Sequence, residues 1–162
     1  MLIPATIWAA LVAYSVGERG RVTPLRTPRE GWARVVWSAG ALLYLGHVAA
    51  AFEFAYGWSH DAAYAHTAAQ TAALVGLDWG GGIWANYFFT ALWLAEAAWW
   101  WAAPVRYRAR PRGLEHAVRA AFLFMIVNGA VIFVTGWTRL MGVAIVAVLC
   151  ANWLAAGPRR SG

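Results

Sequence analysis

Residues 46–101 read GHVAAAFEFAYGWSHDAAYAHTAAQTAALVGLDWGGGIWANYFFTALWLAEAAWWW, and this stretch decides the fold. It contains three of the four histidines and seven of the twelve tryptophans of the chain. Two apolar runs stand at its ends, with a more polar connection between them. An α-helix needs about 20 apolar residues to cross the hydrocarbon core of a bilayer. The stretch therefore predicts two membrane-spanning helices joined by a segment outside the membrane.

The composition of the whole chain favours the same environment. Hydrophobic residues make up 62% of the 162 residues and charged residues 12%, whereas a soluble domain carries about 25% charged residues. All 13 basic residues are Arg, which excludes a retinal Schiff base and a lysine nucleophile. Except for Arg139 at the outer edge of the last apolar segment, these arginines lie in short connections or at the C-terminal end. There they orient helices against an anionic leaflet, so no nucleic-acid partner is expected. Cys150 is the single cysteine, which excludes a disulfide framework.

Five apolar segments are predicted to cross the membrane, at about residues 2–16, 33–56, 82–103, 117–135 and 138–156. The first segment is short for a span. Because no positive residues precede its apolar run, we interpret it as a retained helix and not as a cleaved signal peptide. The predicted fold is all-α, a single membrane domain built as a bundle of five transmembrane helices.

Arginine placement predicts the orientation of this bundle. The connection over residues 57–81 has no Arg, whereas two other connections and the C-terminal end are rich in it. An odd number of spans puts the Arg-rich parts on one side, which the positive-inside rule makes cytoplasmic. The N-terminus and residues 57–81 then lie outside a bacterial-type inner membrane. The cytoplasmic set is Arg19, Arg21, Arg26, Arg29, Arg34, Arg106, Arg108, Arg110, Arg112, Arg119, Arg159 and Arg160.

The connection outside the membrane carries its own helix signal. Ser59 is a suitable N-cap, Asp61 falls in the first turn, and the helix is expected over about residues 60–75. One face is polar and the other consists of Ala, Leu and Val, so the helix is predicted to be amphipathic and to lie on the outer surface. The polar face consists of His60, Tyr64, Thr67 and Thr71.

Polar side chains within spans are costly and need partners. With a rise of about 1.5 Å per residue, depths can be matched between spans. Glu53 then matches Arg139 as an outer ion pair, and Glu96 matches Asn152 in the inner half, with Arg119 within reach from the inner edge. Near the middle, Asn86 and Asn128 lie at the depth of His47. On a purely structural interpretation, these groups only join helices.

A functional interpretation places a cofactor near the outer side. His47, Glu53, His60 and His66 are candidate ligands of a transition metal, although their spacing matches no standard signature. A haem would need a loop ligand or a single axial histidine, because no other span has a histidine at the depth of His47. A quinone is the third cofactor considered, with His47 or Tyr64 bonding a carbonyl. The residues expected to line a cofactor site are His47, Tyr64, Trp84 and Asn86.

Three classes of function follow from these patterns. The preferred one is a membrane electron-transfer or binding subunit with an outward-facing site for a redox cofactor, metal or quinone. The second is a structural or accessory subunit, whose partners besides lipid are other membrane subunits. The third, a proton-coupled transporter using Glu96, is disfavoured because no internal repeat is evident. No catalytic motif is present, so no enzymatic activity is indicated.

Overall fold

The computed structural model describes residues 9–10, 12–17 and 27–155, with side chains described as far as residue 151. In this part of the chain every regular element is helical and no strand occurs, which confirms the all-α prediction. The chain divides into two compact units, Met1–Leu114 and Glu115–Gly162. Each unit is described by itself.

In the described part of the first unit, four complete helices follow the helical residues 9–10 and 12–17. The first of these helices continues directly into a single π-helical turn, Phe52–Tyr56. Helices form almost at the predicted residues 60–75 and 82–103. On the first of them, however, Leu74 and Val75 are exposed, whereas His60 of the predicted polar face contacts Tyr87. The helices are α1 (Pro28–Ala51), α2 (His60–Val75), α3 (Gly82–Ala102) and α4 (Pro104–Arg108).

Local capping explains where these helices begin and end. Ser59 accepts a hydrogen bond from the backbone N–H of Ala62 at 3.2 Å and so caps α2, as predicted. Thr27 caps α1 in the same way, with Pro28 as the first helical residue. Gly76 ends α2 in the left-handed conformation, with φ of 74°.

An aromatic core joins α1 to α3 and to the helical residues 12–17. Trp37 is fully buried, and its ring centroid lies 5.2 Å from that of Tyr14 and 5.7 Å from that of Trp93. Trp100 packs edge-on against Trp37 at 6.3 Å. Gly40 allows this close packing, since a Cβ there would lie 2.8 Å from the Trp93 ring.

The described part of the second unit contains most of α5 (Arg112–Val127), a π-helical turn (Asn128–Ile132) and α6 (Trp137–Ala155). These elements lie where spans 117–135 and 138–156 were predicted. Helix α6 packs on the π-helical turn. The contact is close because Gly142 has no side chain, and a Cβ there would overlap the carbonyl group of Ala130.

Among the described residues, two helices are long and apolar enough to cross a membrane, Pro28–Tyr56 and Arg112–Ile132. A third apolar stretch, Trp137–Ala151, is shorter. Helix α3 is long enough but is not among them, because its many Trp, Tyr and Asn residues lower its mean hydropathy. The five-span bundle is therefore not confirmed. Most of the predicted span 2–16 lies outside the described residues.

Candidate functional site

A cluster of aromatic side chains surrounds His60, the first residue of α2. Its Nδ1 atom lies 3.0 Å from the hydroxyl oxygen of Tyr87, within hydrogen-bonding distance. Its ring centroid lies 4.9 Å from that of Trp84 and 6.4 Å from that of Tyr64. Phe52 completes the cluster, with its ring 6.1 Å from that of Tyr87. We call these five residues the His60 cluster.

Helical spacing explains how the cluster assembles. His60 and Tyr64 are four residues apart on α2, and Trp84 and Tyr87 are three apart on α3, so each pair shares one face of its helix. Helix α2 packs on α3, which brings the two faces together. Sequence analysis singled out His60, Tyr64 and Trp84 but missed Tyr87, although its spacing from Trp84 could have indicated it.

The chain turns into the cluster through an uncommon backbone conformation. The π-helical turn Phe52–Tyr56 ends at Gly57, and Trp58 then has a φ of 59°, the only positive φ of a non-glycine residue in the described ranges. Trp58 is held there because its indole N–H donates to Glu53 Oε2 at 2.7 Å. Both π-helical turns and left-handed bulky residues concentrate at functional sites. Glu53 therefore stabilises the turn that leads into α2.

The cluster is open on one side. Trp84 keeps 58% of its surface exposed, while His60 is half-buried among the rings. An imidazole and two phenols can donate or accept hydrogen bonds, and an exposed indole face can stack on a planar group. The arrangement can thus bind a flat molecule that carries hydrogen-bond acceptors at its edge.

His47 lies in α1 beside Tyr44, with ring centroids 6.3 Å apart. The Tyr44 hydroxyl donates to Asn86 Oδ1 at 2.8 Å. Tyr44 therefore contacts both His47 and Asn86, which depth matching had paired. Sequence analysis missed this role of Tyr44, although Tyr44 lies only three residues before His47. In the second unit, Asn128 donates to the Phe124 carbonyl at 2.7 Å. A pair between His47 and Asn128 would join the two units and stays a prediction.

The predicted metal ligands have other neighbours in the structure. Glu53 accepts from Trp58, His60 lies against Tyr87, and the His66 ring lies 5.5 Å from that of Tyr56. Over the described residues, which include all four predicted ligands, no group of three or more His, Cys, Asp or Glu side chains comes together to hold a metal ion. The physical reason is that α2 packs on α3, which directs His60 to Tyr87.

A second polar cluster lies where α3 ends. Glu96 is buried, and its Oε2 atom accepts from the Tyr107 hydroxyl at 2.8 Å and from Arg110 Nη1 at 2.7 Å. Sequence analysis had matched Glu96 with Asn152, whose side chain lies outside the described residues, or with Arg119, which pairs with Glu115 at 2.8 Å. The Arg-rich run directly after α3 was the available signal for Arg110.

Glu30, at the start of α1, has contacts like those of Glu96. It is buried, accepts from the Trp100 indole N–H at 3.1 Å and pairs with Arg34 at 2.8 Å. Sequence analysis did not single out Glu30, because it precedes the apolar run of α1. The two carboxylates with their partners form what we call the buried ionic network, consisting of Glu30, Arg34, Glu96, Trp100, Tyr107 and Arg110.

The predicted outer ion pair joins residues of different units. Glu53 belongs to the first unit and bonds Trp58, while Arg139 belongs to the second and its Nε atom donates to the Val134 carbonyl at 2.9 Å. The pair between Glu53 and Arg139 therefore stays a prediction.

Comparison with protein-family models, with curated proteins and with solved structures finds no match to this chain.

Proposed function

We propose that this chain is an integral membrane protein whose His60 cluster binds the headgroup of a quinone. The single observation that carries the proposal is the His60–Tyr87 contact of 3.0 Å beside the exposed ring of Trp84. When Tyr87 donates to Nδ1, the imidazole proton lies on Nε2 and can donate to a quinone carbonyl. Trp84 and Tyr64 then supply stacking surface for the quinone ring.

The apolar surface supports a membrane location. Only 22% of the residues in the most apolar stretch of Pro28–Tyr56 are buried, and the same fraction holds for Arg112–Ile132. A core helix of a soluble protein would bury most of its apolar residues. Large exposed side chains of this kind are stable when lipid surrounds them. A lipid-soluble ligand with an isoprenoid tail suits a site beside such helices.

The geometry favours a quinone over the other cofactors considered. A transition metal needs several converging ligands, whereas His60 is bordered by aromatic rings. A haem needs room for its whole macrocycle beside the axial histidine, and three rings with centroids between 4.9 and 6.4 Å away leave His60 open on one side only. A quinone needs only hydrogen-bond donors and a stacking face.

The orientation proposed from the arginines agrees with this role. With residues 57–81 outside a bacterial-type inner membrane, the cluster would lie near the outer interface, and the Arg-rich connections would be cytoplasmic. Five spans, with residues 2–16 as the first, give this arrangement. A quinone bound there would serve electron transfer at the outer side of the membrane.

Titration of purified protein in nanodiscs with a short-chain ubiquinone analogue tests the proposal, with tryptophan fluorescence quenching as the readout. We expect saturable quenching, and His60→Ala is expected to weaken binding by about tenfold, the loss of one hydrogen bond. His66→Ala is the matched control, because it removes an exposed imidazole from the same helix. Equal affinity of the wild type and His60→Ala would contradict the proposal.

The second candidate function is an accessory subunit of a larger membrane assembly. The observation in its favour is the buried ionic network, which neutralises its charges within the first unit and stabilises a scaffold without a ligand. Under this alternative the wild-type protein shows no saturable quenching by the quinone analogue, and its optical spectrum shows no bound chromophore.

A further inference from the structure

Two arginines of the first unit form ion pairs with buried acids. Arg34 pairs with Glu30 at 2.8 Å, and Arg110 pairs with Glu96 at 2.7 Å. The guanidinium group of Arg110 also lies 4.5 Å from the centroid of the Tyr107 ring. Arg110 is buried and Arg34 is partly buried, and the charge of each is balanced by a carboxylate.

Two other arginines, Arg29 and Arg106, are exposed. They lie at the same end of the first unit, because α1 begins beside the end of α3. The bond from the Trp100 indole N–H to Glu30 Oε1, at 3.1 Å, joins these two helix ends. Arg29 is the second residue of α1. Arg106 lies in α4, which starts two residues after the end of α3.

Exposed apolar side chains flank these two arginines. Trp32, one turn after Arg29, is 69% exposed, and Val105, next to Arg106, is 67% exposed. Helix α4 holds this arrangement because Tyr107 is buried and anchors it to the core. We call Arg29, Trp32, Val105 and Arg106 the arginine rim.

We propose that the arginine rim binds the headgroups of anionic phospholipids in the adjacent leaflet. Among the described residues, the acids at this end are Glu30 and Glu96. Both are buried and paired with Arg34 and Arg110, so they do not offset the positive charge of the rim. Guanidinium groups bind phosphate in a bidentate manner. Tryptophan and valine beside them enter the region where headgroups meet acyl chains.

Native mass spectrometry of the full chain in detergent micelles tests the proposal. The protein is titrated with phosphatidylglycerol and, separately, with phosphatidylcholine of the same acyl chains. An arginine near an anionic membrane surface contributes about 1 kcal/mol, or about fivefold in affinity. We therefore expect phosphatidylglycerol to bind several-fold more tightly, and Arg29→Gln and Arg106→Gln each to lower that affinity by about fivefold.

Arg139→Gln provides the charge-matched control, because Arg139 belongs to the second unit and the substitution also removes one positive charge. It is expected to leave phosphatidylglycerol affinity unchanged. Equal binding of the two lipids would overturn the proposal and leave the rim as a surface for an acidic protein. An equal loss in Arg106→Gln and Arg139→Gln would overturn it too, since net charge alone would then explain binding. Neither result depends on quinone binding.

Discussion

Tyr107 lies face to face on Trp100, with ring centroids 5.3 Å apart and ring planes 10° from parallel. Trp100 donates a hydrogen bond to Glu30 and Tyr107 donates one to Glu96, so the stacked rings connect the two buried carboxylates of the first unit. Each carboxylate also pairs with an arginine. The stability of this end of the molecule therefore depends on a connected set of buried charges.

Arg110→Ala is expected to be strongly destabilising. The substitution leaves the buried carboxylate of Glu96 without its cation, and breaking a buried pair in this way costs about 3–5 kcal/mol. Unfolding titrations in mixed micelles measure the loss. Arg106→Ala is the matched control, because Arg106 is exposed and its removal is expected to change the free energy of unfolding by at most about 0.5 kcal/mol. Similar losses in both variants would contradict the assigned role of the network.

Trp58→Gly is expected to be more stable than Trp58→Ala. Both substitutions remove the indole that donates to Glu53, so that bond does not affect the comparison. Trp58 has a φ of 59°, where glycine is unstrained and a residue with a Cβ pays about 1–2 kcal/mol. The difference between the free energies of unfolding of the glycine and alanine variants tests whether residue 58 adopts the left-handed conformation. Equal stability, or a more stable alanine variant, would argue against it.

Gly40→Ala is expected to destabilise the packing of α1 on α3. The added methyl group would lie 2.8 Å from both Trp93 and Ala13, and overpacking of this kind costs about 1–3 kcal/mol. Gly46→Ala, in the same helix, has open space and is expected to gain up to about 1 kcal/mol from helix propensity. Thermal unfolding of the two variants should shift in opposite directions. A stabilised Gly40→Ala variant would show that the two helices do not approach so closely.

The proposed orientation is tested by labelling single cysteines in intact cells. Cys150→Ser provides a background without cysteine. Gln70 is an exposed position in the connection without Arg, and Gly113 is an exposed position in an Arg-rich connection. A membrane-impermeant maleimide should label Gln70→Cys in intact cells, and Gly113→Cys only after permeabilisation. Labelling of both positions from the same side would refute the predicted topology.

Helix positions were largely predictable because their signals are local. Ser59 and Gly76 flank α2, and the helix they enclose, His60–Val75, matches the predicted range of 60–75. The start of α3 at Gly82 was also predicted, and its end at Ala102 lies one residue before the expected end. The start of α1 at Pro28 was missed by five residues, because its first turn is polar and only the cap at Thr27 indicates it.

Partners of the polar side chains were harder to predict. Depth matching treats helices as straight rods and compares only how far along the helix axis each residue lies. It paired Glu96 with Asn152 or Arg119 of the second unit, and those pairs stay predictions. It missed Arg110, which the chain that follows α3 brings back to Glu96. The short helix α4 causes this return, and a helix of five residues leaves almost no trace in an apolar pattern.

The amino-acid sequence alone determined that this protein is helical, where most of its helices lie and that its surface is apolar. Caps and apolar runs act over a few residues, so these features need no knowledge of the fold. The contacts of His60 with Tyr87, 27 residues away, and of Glu96 with Arg110, 14 residues away, could be seen only in the folded chain. Both contacts depend on how the chain turns between helices, at Gly57–Trp58 and along α4, and such turns are set by packing across the whole unit.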